Sequence, residues 1–294
     1  MKAKTIKSIL KSVHNKIVKS IEDDVVKKLV EKNSIITGGS IVSMLLNEDV
    51  NDFDYYFTDK ETATRVAEYY VNKFNKDKGF NARVEVKEET GRIKIIVKDK
   101  GIVGEPQSHE TDEGESITLF DDDTSTVEEL KEKETEKYNP IFLSTNAISL
   151  TGKIQLVIRF YGDAEKIHEN YDFVHATCFW RSEDNFLSLP REALEAILTK
   201  ELIYTGSKYP LCSIFRTKKF IKRGWQINAG QYLKMVLHLN QMDLHDLETL
   251  QEQLTGVDSA YFEQVIEHMK NKMEENPNFK VENTYLFEVI NRIF

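Results

Sequence analysis

A chain of 294 residues is long enough for one large domain or two small ones, and for a substantial buried core. Its composition is 40% hydrophobic and 30% charged, and no apolar run is long enough to cross a bilayer, which argues against a helical membrane protein. The net charge of −9 speaks at first against a polyanionic partner, but its distribution reverses that: residues 105–137 hold 13 acidic and 3 basic residues, whereas Leu202 to Met242 hold seven basic residues and no acidic one.

In chain order, residues 4–31 place apolar side chains at helical spacing (Ile6, Leu10, Val13, Ile17, Val25, Leu29), which predicts one or two amphipathic helices. The N-terminus lacks the compact apolar centre of a secretory leader. "SIIT" reads as a short strand, "GGSIVSMLLN" as a helix starting near Ser40, and "DFDYYF" as a second strand. Thr58 or Asp59 caps a helix running to about Lys76, with Ala63, Val66, Ala67, Tyr70 and Phe74 on its inner face, and "ARVEVK" and "RIKIIVKD" form a hairpin. The acidic segment 105–137 reads as an exposed insertion. Strands return with "PIFLSTNAISL", "KIQLVIRF" and "YDFVHATCFW", and after Pro190 the pattern is mainly helical apart from a short strand at "ELIY", with two or three amphipathic helices over 243–294. Cys178 and Cys212 lie in apolar contexts outside any Cys-x-x-Cys pattern, as buried thiols of a reducing compartment do, so a cytoplasmic location is expected.

Two features carry chemistry. A strand running through Gly38-Gly39-Ser40 into a helix lets backbone approach a bulky anion, where the first helical N–H groups are unpaired. Ser40 either caps that helix or offers its hydroxyl to a phosphate. Gly-Gly-Ser alone is more often a tight turn. Asp52 and Asp54 alternate on a strand, so they share a face roughly 7 Å apart, opposite Phe53, Tyr55 and Phe57. Such a pair invites a hard divalent cation, Mg²⁺ above all, with substrate phosphates completing the shell. Asp-x-Asp alone is more often a solvated edge. Both features joined by one short helix fit transfer of a nucleoside monophosphate from a triphosphate.

"GGSIVSMLLNEDVNDFDYYF" resembles the head motif of the DNA polymerase β-type nucleotidyltransferase superfamily, nearest in spacing to bacterial CCA-adding enzymes and poly(A) polymerases. In "STNAISL", "IQLVIRF" and "YDFVHAT" the chain also resembles nucleotidyltransferase-like proteins of bacteriophages. The resemblance implies an α+β fold, a mixed sheet with flanking helices followed by a helical C-terminal part. It places Gly38 and Gly39 in the phosphate loop and Asp52 and Asp54 at the metal. CCA-type heads have Arg-Asp where this chain has Val42-Ser43, and "STNAISL" lacks the Arg-Arg-Asp that precedes the corresponding motif, so CCA addition itself is not implied.

The superfamily's third carboxylate is expected at Asp172, at the start of an apolar strand; Asp121 to Asp123, in the acidic segment, are the weaker alternative. His175 reads as structural. "YPLCSIFRTKKFIKRGWQI" reads as a helix ended by Gly224, with Leu211, Ile214, Phe215 and Ile221 buried. Arg216, Lys219 and Arg223 share its other face as phosphate contacts, while Trp225 and Tyr209 read as core. The expected organisation is a helical segment over 1–33, a nucleotidyltransferase core over 34–189 and a helical domain over 190–294. The expected activity is Mg²⁺-dependent nucleotidyl transfer, with Mn²⁺ as a substitute, ATP as the nucleotide and an RNA 3′ end as the acceptor. A protein or small-molecule acceptor, or an inactive binding module of the same fold, is the alternative.

Overall fold

In the computed structural model, which describes residues 1–87, 92–97 and 138–246 with Thr249, Leu250, Gln253, Asn271 and Glu288, the alternating apolar runs form strands and the helical periodicities form helices. The acidic insertion and Asp121 to Asp123 lie outside the described residues, as do nearly all of the helices expected over 243–294. The chain divides into two compact units, one of residues 1–168 and 176–190, the other of residues 169–175 and 191–294.

The first unit begins with α1 (Ala3–Ser20) and α2 (Asp24–Lys32), whose N-cap Asp23 accepts from the amides of Val25 and Val26. There follow β1 (Ser34–Thr37), α3 (Gly39–Leu46), β2 (Phe53–Phe57) and α4 (Lys60–Lys78). Asp59 caps α4, accepting from the Thr62 amide at 2.7 Å. A two-stranded hairpin of β3 (Ala82–Val86) and β4 (Ile93–Val97) comes next. The remaining strands are β5 (Pro140–Leu143), β6 (Ala147–Leu150), β7 (Ile154–Tyr161), β8 (Phe179–Arg181) and β9 (Phe186–Ser188), with α5 (Ala164–His168) after β7.

Among the described residues, the main sheet has seven strands in the order β5-β6-β7-β2-β1-β8-β9. Only β2 and β7 run parallel; the other pairs are antiparallel. One face is apolar, with Ile36, Tyr55, Phe57, Ile148, Leu156 and Trp180 at most 2% exposed. His14 of α1 lies 6.3 Å from the ring of Tyr55 and 5.2 Å from that of Trp180, so α1 covers this face. α4 turns inward the side chains expected of it, Ala63, Val66, Ala67, Tyr70 and Phe74. The other face carries a polar row in register: Ser149, Gln155, Asp54 and Thr37, followed by Phe179.

Two strand expectations need correcting. "PIFLSTNAISL" is two strands, because Ser144 Oγ accepts from the Ala147 amide and donates to its carbonyl, folding the chain back on itself. "YDFVHATCFW" is a 3-10 turn over Val174–Thr177 followed by β8, so Asp172 does not start a strand.

The second unit holds α6 (Arg191–Thr199), α7 (Pro210–Lys222) and α8 (Ala229–Leu239). "ELIY" contributes single bridges, Glu201 to Gln226 and Tyr204 to Phe173, in place of a strand. Its core is aromatic: the His175 ring lies 4.3 Å from Trp225, 4.8 Å from Phe220 and 5.9 Å from Phe173. Burial and then the nearby Arg223 lower the His175 pKa to about 3, so it packs as a neutral ring. A mixed sheet with flanking helices, followed by a helical part, is therefore the architecture.

Candidate active site

β1 delivers its last residue, Thr37, to the end of the sheet where β2 begins, because Thr37 pairs with Asp54. Gly38 follows with φ 84° and ψ −144°, a conformation that side-chain-bearing residues rarely adopt. It is the N-cap of α3 and offers no side chain to the helix's first amides. At Gly39, a Cβ would meet no atom within 4 Å. The two glycines thus differ in kind: Gly38 is required by backbone angle, whereas Gly39 leaves open space beside uncapped N–H donors. Ser40 does not cap α3. It lies inside the helix, 1% exposed, with a hydroxyl that has no hydrogen-bond partner among the described residues.

Asp52 immediately precedes β2 and Asp54 is its second residue; both are half-buried. The parallel pairing sets Gln155 of β7 opposite Asp54, on the same face. With its amide nitrogen turned toward them, Gln155 donates to Asp52 Oδ2 at 3.2 Å and to Asp54 Oδ1 at 3.3 Å. Two carboxylates therefore converge on one point, which a neutral group with two N–H donors occupies. Gln155 was not anticipated from sequence, although it is a lone polar residue within the apolar run "IQLVI". Beside the pair, Thr37 Oγ1 donates to the Cys178 carbonyl at 2.9 Å and is hydrogen-bonded with His168 Nε2 at 2.9 Å. Burial lowers the His168 pKa to about 4, so this imidazole brings no positive charge to the face at neutral pH.

The donor set suits a hard cation: carboxylate oxygens on adjoining positions, an amide beside them, and an open helix start at the same end of the sheet. Among the described residues, no three His, Cys, Asp or Glu side chains are grouped to hold a metal. Asp52 and Asp54 would hold it, with the remaining ligands supplied by substrate oxygens and water.

Asp172, expected as the third carboxylate, belongs to the second unit and is 7% exposed. It accepts from Ser213 Oγ at 3.0 Å and is ion-paired with Arg216. The residue expected at a metal and the first residue expected at a phosphate are engaged with each other, since a buried carboxylate needs a counter-charge. α7 is accordingly turned differently from expectation. Pro210, Cys212, Ser213 and Thr217 are its buried side chains, while Ile221 is 47% exposed. Lys219 is exposed on the last turn of α7 and Arg223 is half-buried at its C-cap, ahead of Gly224 at φ 79°. Cys178 and Cys212 are buried free thiols, as expected.

The model of the Gabija anti-defense 2 family protein matches residues 6–200. The "Gabija anti-defense 2" protein of Bacillus phage SPbetaL7 is 19% identical over 261 residues, covering 88% of this chain and 50% of that protein. The chain thus spans about half the length of the curated relative it matches. Among solved structures, a tRNA-processing enzyme in an apo form is similar with a TM-score of 0.39 and 13% identity, over 82% of this chain and 48% of that one. A Thermotoga maritima CCA-adding enzyme complexed with tRNA gives a TM-score of 0.38 and 10% identity, over 92% of this chain and 57% of that one.

Proposed function

Because the chain belongs to the Gabija anti-defense 2 family and carries a convergent carboxylate pair beside an open helix start, we propose that it is a phage anti-defence protein working as a nucleotidyltransferase of the polymerase β type. It acts in the host cytoplasm, moving a nucleoside monophosphate from a triphosphate, with ATP the leading nucleotide, to an acceptor hydroxyl. The acceptor oxygen forms a bond to the α-phosphorus as the bond to pyrophosphate breaks, and the hydroxyl's proton passes to solvent. An RNA 3′ end is the leading acceptor, with a protein or small-molecule hydroxyl as the alternative.

The observation that carries this reading is the convergence of Asp52 and Asp54 on one amide nitrogen, at the end of the sheet where Gly38 and Gly39 open α3. The first amides of α3 bind triphosphate oxygens, and the missing side chain of Gly39 lets them approach. Asp52 and Asp54 fix a cation where the triphosphate lies. Mg²⁺, when bound there, neutralises phosphate charge and lowers the barrier to displacement. Lys219 and Arg223 are proposed contacts for acceptor phosphates; Arg216 is held by Asp172.

The test is incubation with each α-phosphate-labelled nucleoside triphosphate, Mg²⁺ or Mn²⁺, and cellular RNA and protein, beside an Asp52→Ala/Asp54→Ala control. Label on RNA or protein, absent from the control, is the expected outcome and names the acceptor class. A second reading, a nucleotide-binding module without transfer, is favoured by one observation: Asp172 is committed to Arg216 and Ser213. Triphosphate binding that depends on Mg²⁺ and on Asp52 and Asp54, without label transfer to any acceptor, is its signature.

A further inference from the structure

Building on the reading that Asp52 and Asp54 hold a cation, we propose that Gln155 is the third, neutral ligand of the pair. Its amide nitrogen holds the two carboxylates together in the free protein, and its carbonyl oxygen turns to the cation when one binds. Three observations lead there. Gln155 is the register partner of Asp54 on a parallel strand, so its side chain and the carboxylates share a face by construction. Its amide end lies between one oxygen of each aspartate, where only the nitrogen can bond both, at 3.2 and 3.3 Å. And no group of three acidic, histidine or cysteine side chains among the described residues competes for the ligand's place.

A primary amide is nearly symmetric in shape but has two donors at one end and an acceptor at the other. Half a turn about the last side-chain bond therefore exchanges a group that attracts carboxylates for one that attracts a cation, and nothing else needs to move. Without a cation, the carbonyl end would face two carboxylates, acceptor against acceptor. With one, the amine end would face a positive charge. The occupancy of the pair thus decides which end points inward.

Charge gives this arrangement a purpose. Two carboxylates and a divalent cation sum to zero, so the loaded site does not repel an anionic triphosphate, whereas a third carboxylate would leave it negative.

The experiment uses the full chain and reads Mn²⁺ binding by electron paramagnetic resonance, with the metal-free melting temperature beside it. Gln155→Met keeps the length and loses both ends of the amide. It is expected to bind Mn²⁺ about tenfold more weakly while its circular dichroism is unchanged. Gln155→Glu restores a ligand oxygen, so it is expected to bind Mn²⁺ at least as tightly as the natural chain. Its metal-free melting temperature falls, because three carboxylates repel one another, and Mn²⁺ recovers it. A merely structural glutamine would show no such crossover. Equal Mn²⁺ affinity in Gln155→Met and the natural chain overturns the proposal. So does a Gln155→Glu protein that binds no better than Gln155→Met. If Gln155→Met does not fold, Gln155→Glu decides: weaker Mn²⁺ binding than in the natural chain, or an unchanged metal-free melting temperature, overturns it. Gln155-dependent Mn²⁺ binding without label transfer would overturn the transferase and leave this inference standing. Label transfer with Gln155-independent Mn²⁺ binding would do the reverse.

Discussion

Gly38 and Gly39 are neighbours with opposite sensitivities. Gly38→Ala forces a side chain into φ 84°, ψ −144°, and a loss of about 1–3 kcal/mol in chemical denaturation is expected. Gly39→Ala enters open space at the start of a helix and should leave stability unchanged or raise it by about 0.4–1 kcal/mol. Its effect belongs to the ligand: triphosphate affinity, measured by calorimetry, should fall because a methyl group stands among the amides. Asp172 offers the converse. Asp172→Ala removes the carboxylate that pairs with Arg216 and accepts from Ser213, and a loss of about 2–3 kcal/mol is expected, reduced from that of a fully buried pair because Arg216 is 38% exposed. Its Mn²⁺ affinity should match that of the natural chain. The turn at Gly38 and the shared face of Asp52 and Asp54 were legible in the sequence because both follow from residue type and local spacing. The pairing of Asp172 with Arg216 was not legible because the two lie 44 positions apart, and the place of Gln155 beside the aspartates was not because it follows only from strand register.

At the scale of elements, strands and helices with strong periodicity were readable, α4 down to its inner face. The segment around His175 was not: aromatic residues in sequence favour a strand, but packing among Phe173, Phe220 and Trp225 turns the chain into a 3-10 turn instead. That packing has a pH signature. The folded His175 has a pKa lowered to about 3 from 6.5, so below pH 6.5 the unfolded chain takes up a proton that the folded chain refuses. Stability is full above 6.5 and is lost as pH falls toward 3, at about 1.4 kcal/mol per pH unit for this one proton. His168, lowered to about 4, adds the same sign in the first unit between 6.5 and 4. Denaturant titrations of the natural chain and His175→Phe, from neutral pH down to about pH 4, should show a shallower loss in the variant.

For the molecule as a whole, charge is segregated along the sequence: the 13 acids and 3 bases of residues 105–137 leave the rest near +1, the difference between −9 and −10. An RNA acceptor therefore predicts binding that weakens steeply with salt, and Lys219→Ala should reduce the slope of log K against log salt by roughly 0.7, one single-strand phosphate contact. A small-molecule acceptor predicts a flat response in both proteins. The order of the sheet has one more consequence, for the chain as it is made. β2 stands between β1 and β7, and Phe53 pairs with Ile154, 101 positions later. A nascent chain emerges with β2 as an unprotected edge and without the Gln155 amide beside Asp52 and Asp54, until β7 is synthesised and docks. The strand that closes the middle of the sheet also carries Gln155, so the event that removes an aggregation-prone edge is the event that assembles the carboxylate cluster, and a chain stopped short of β7 has neither.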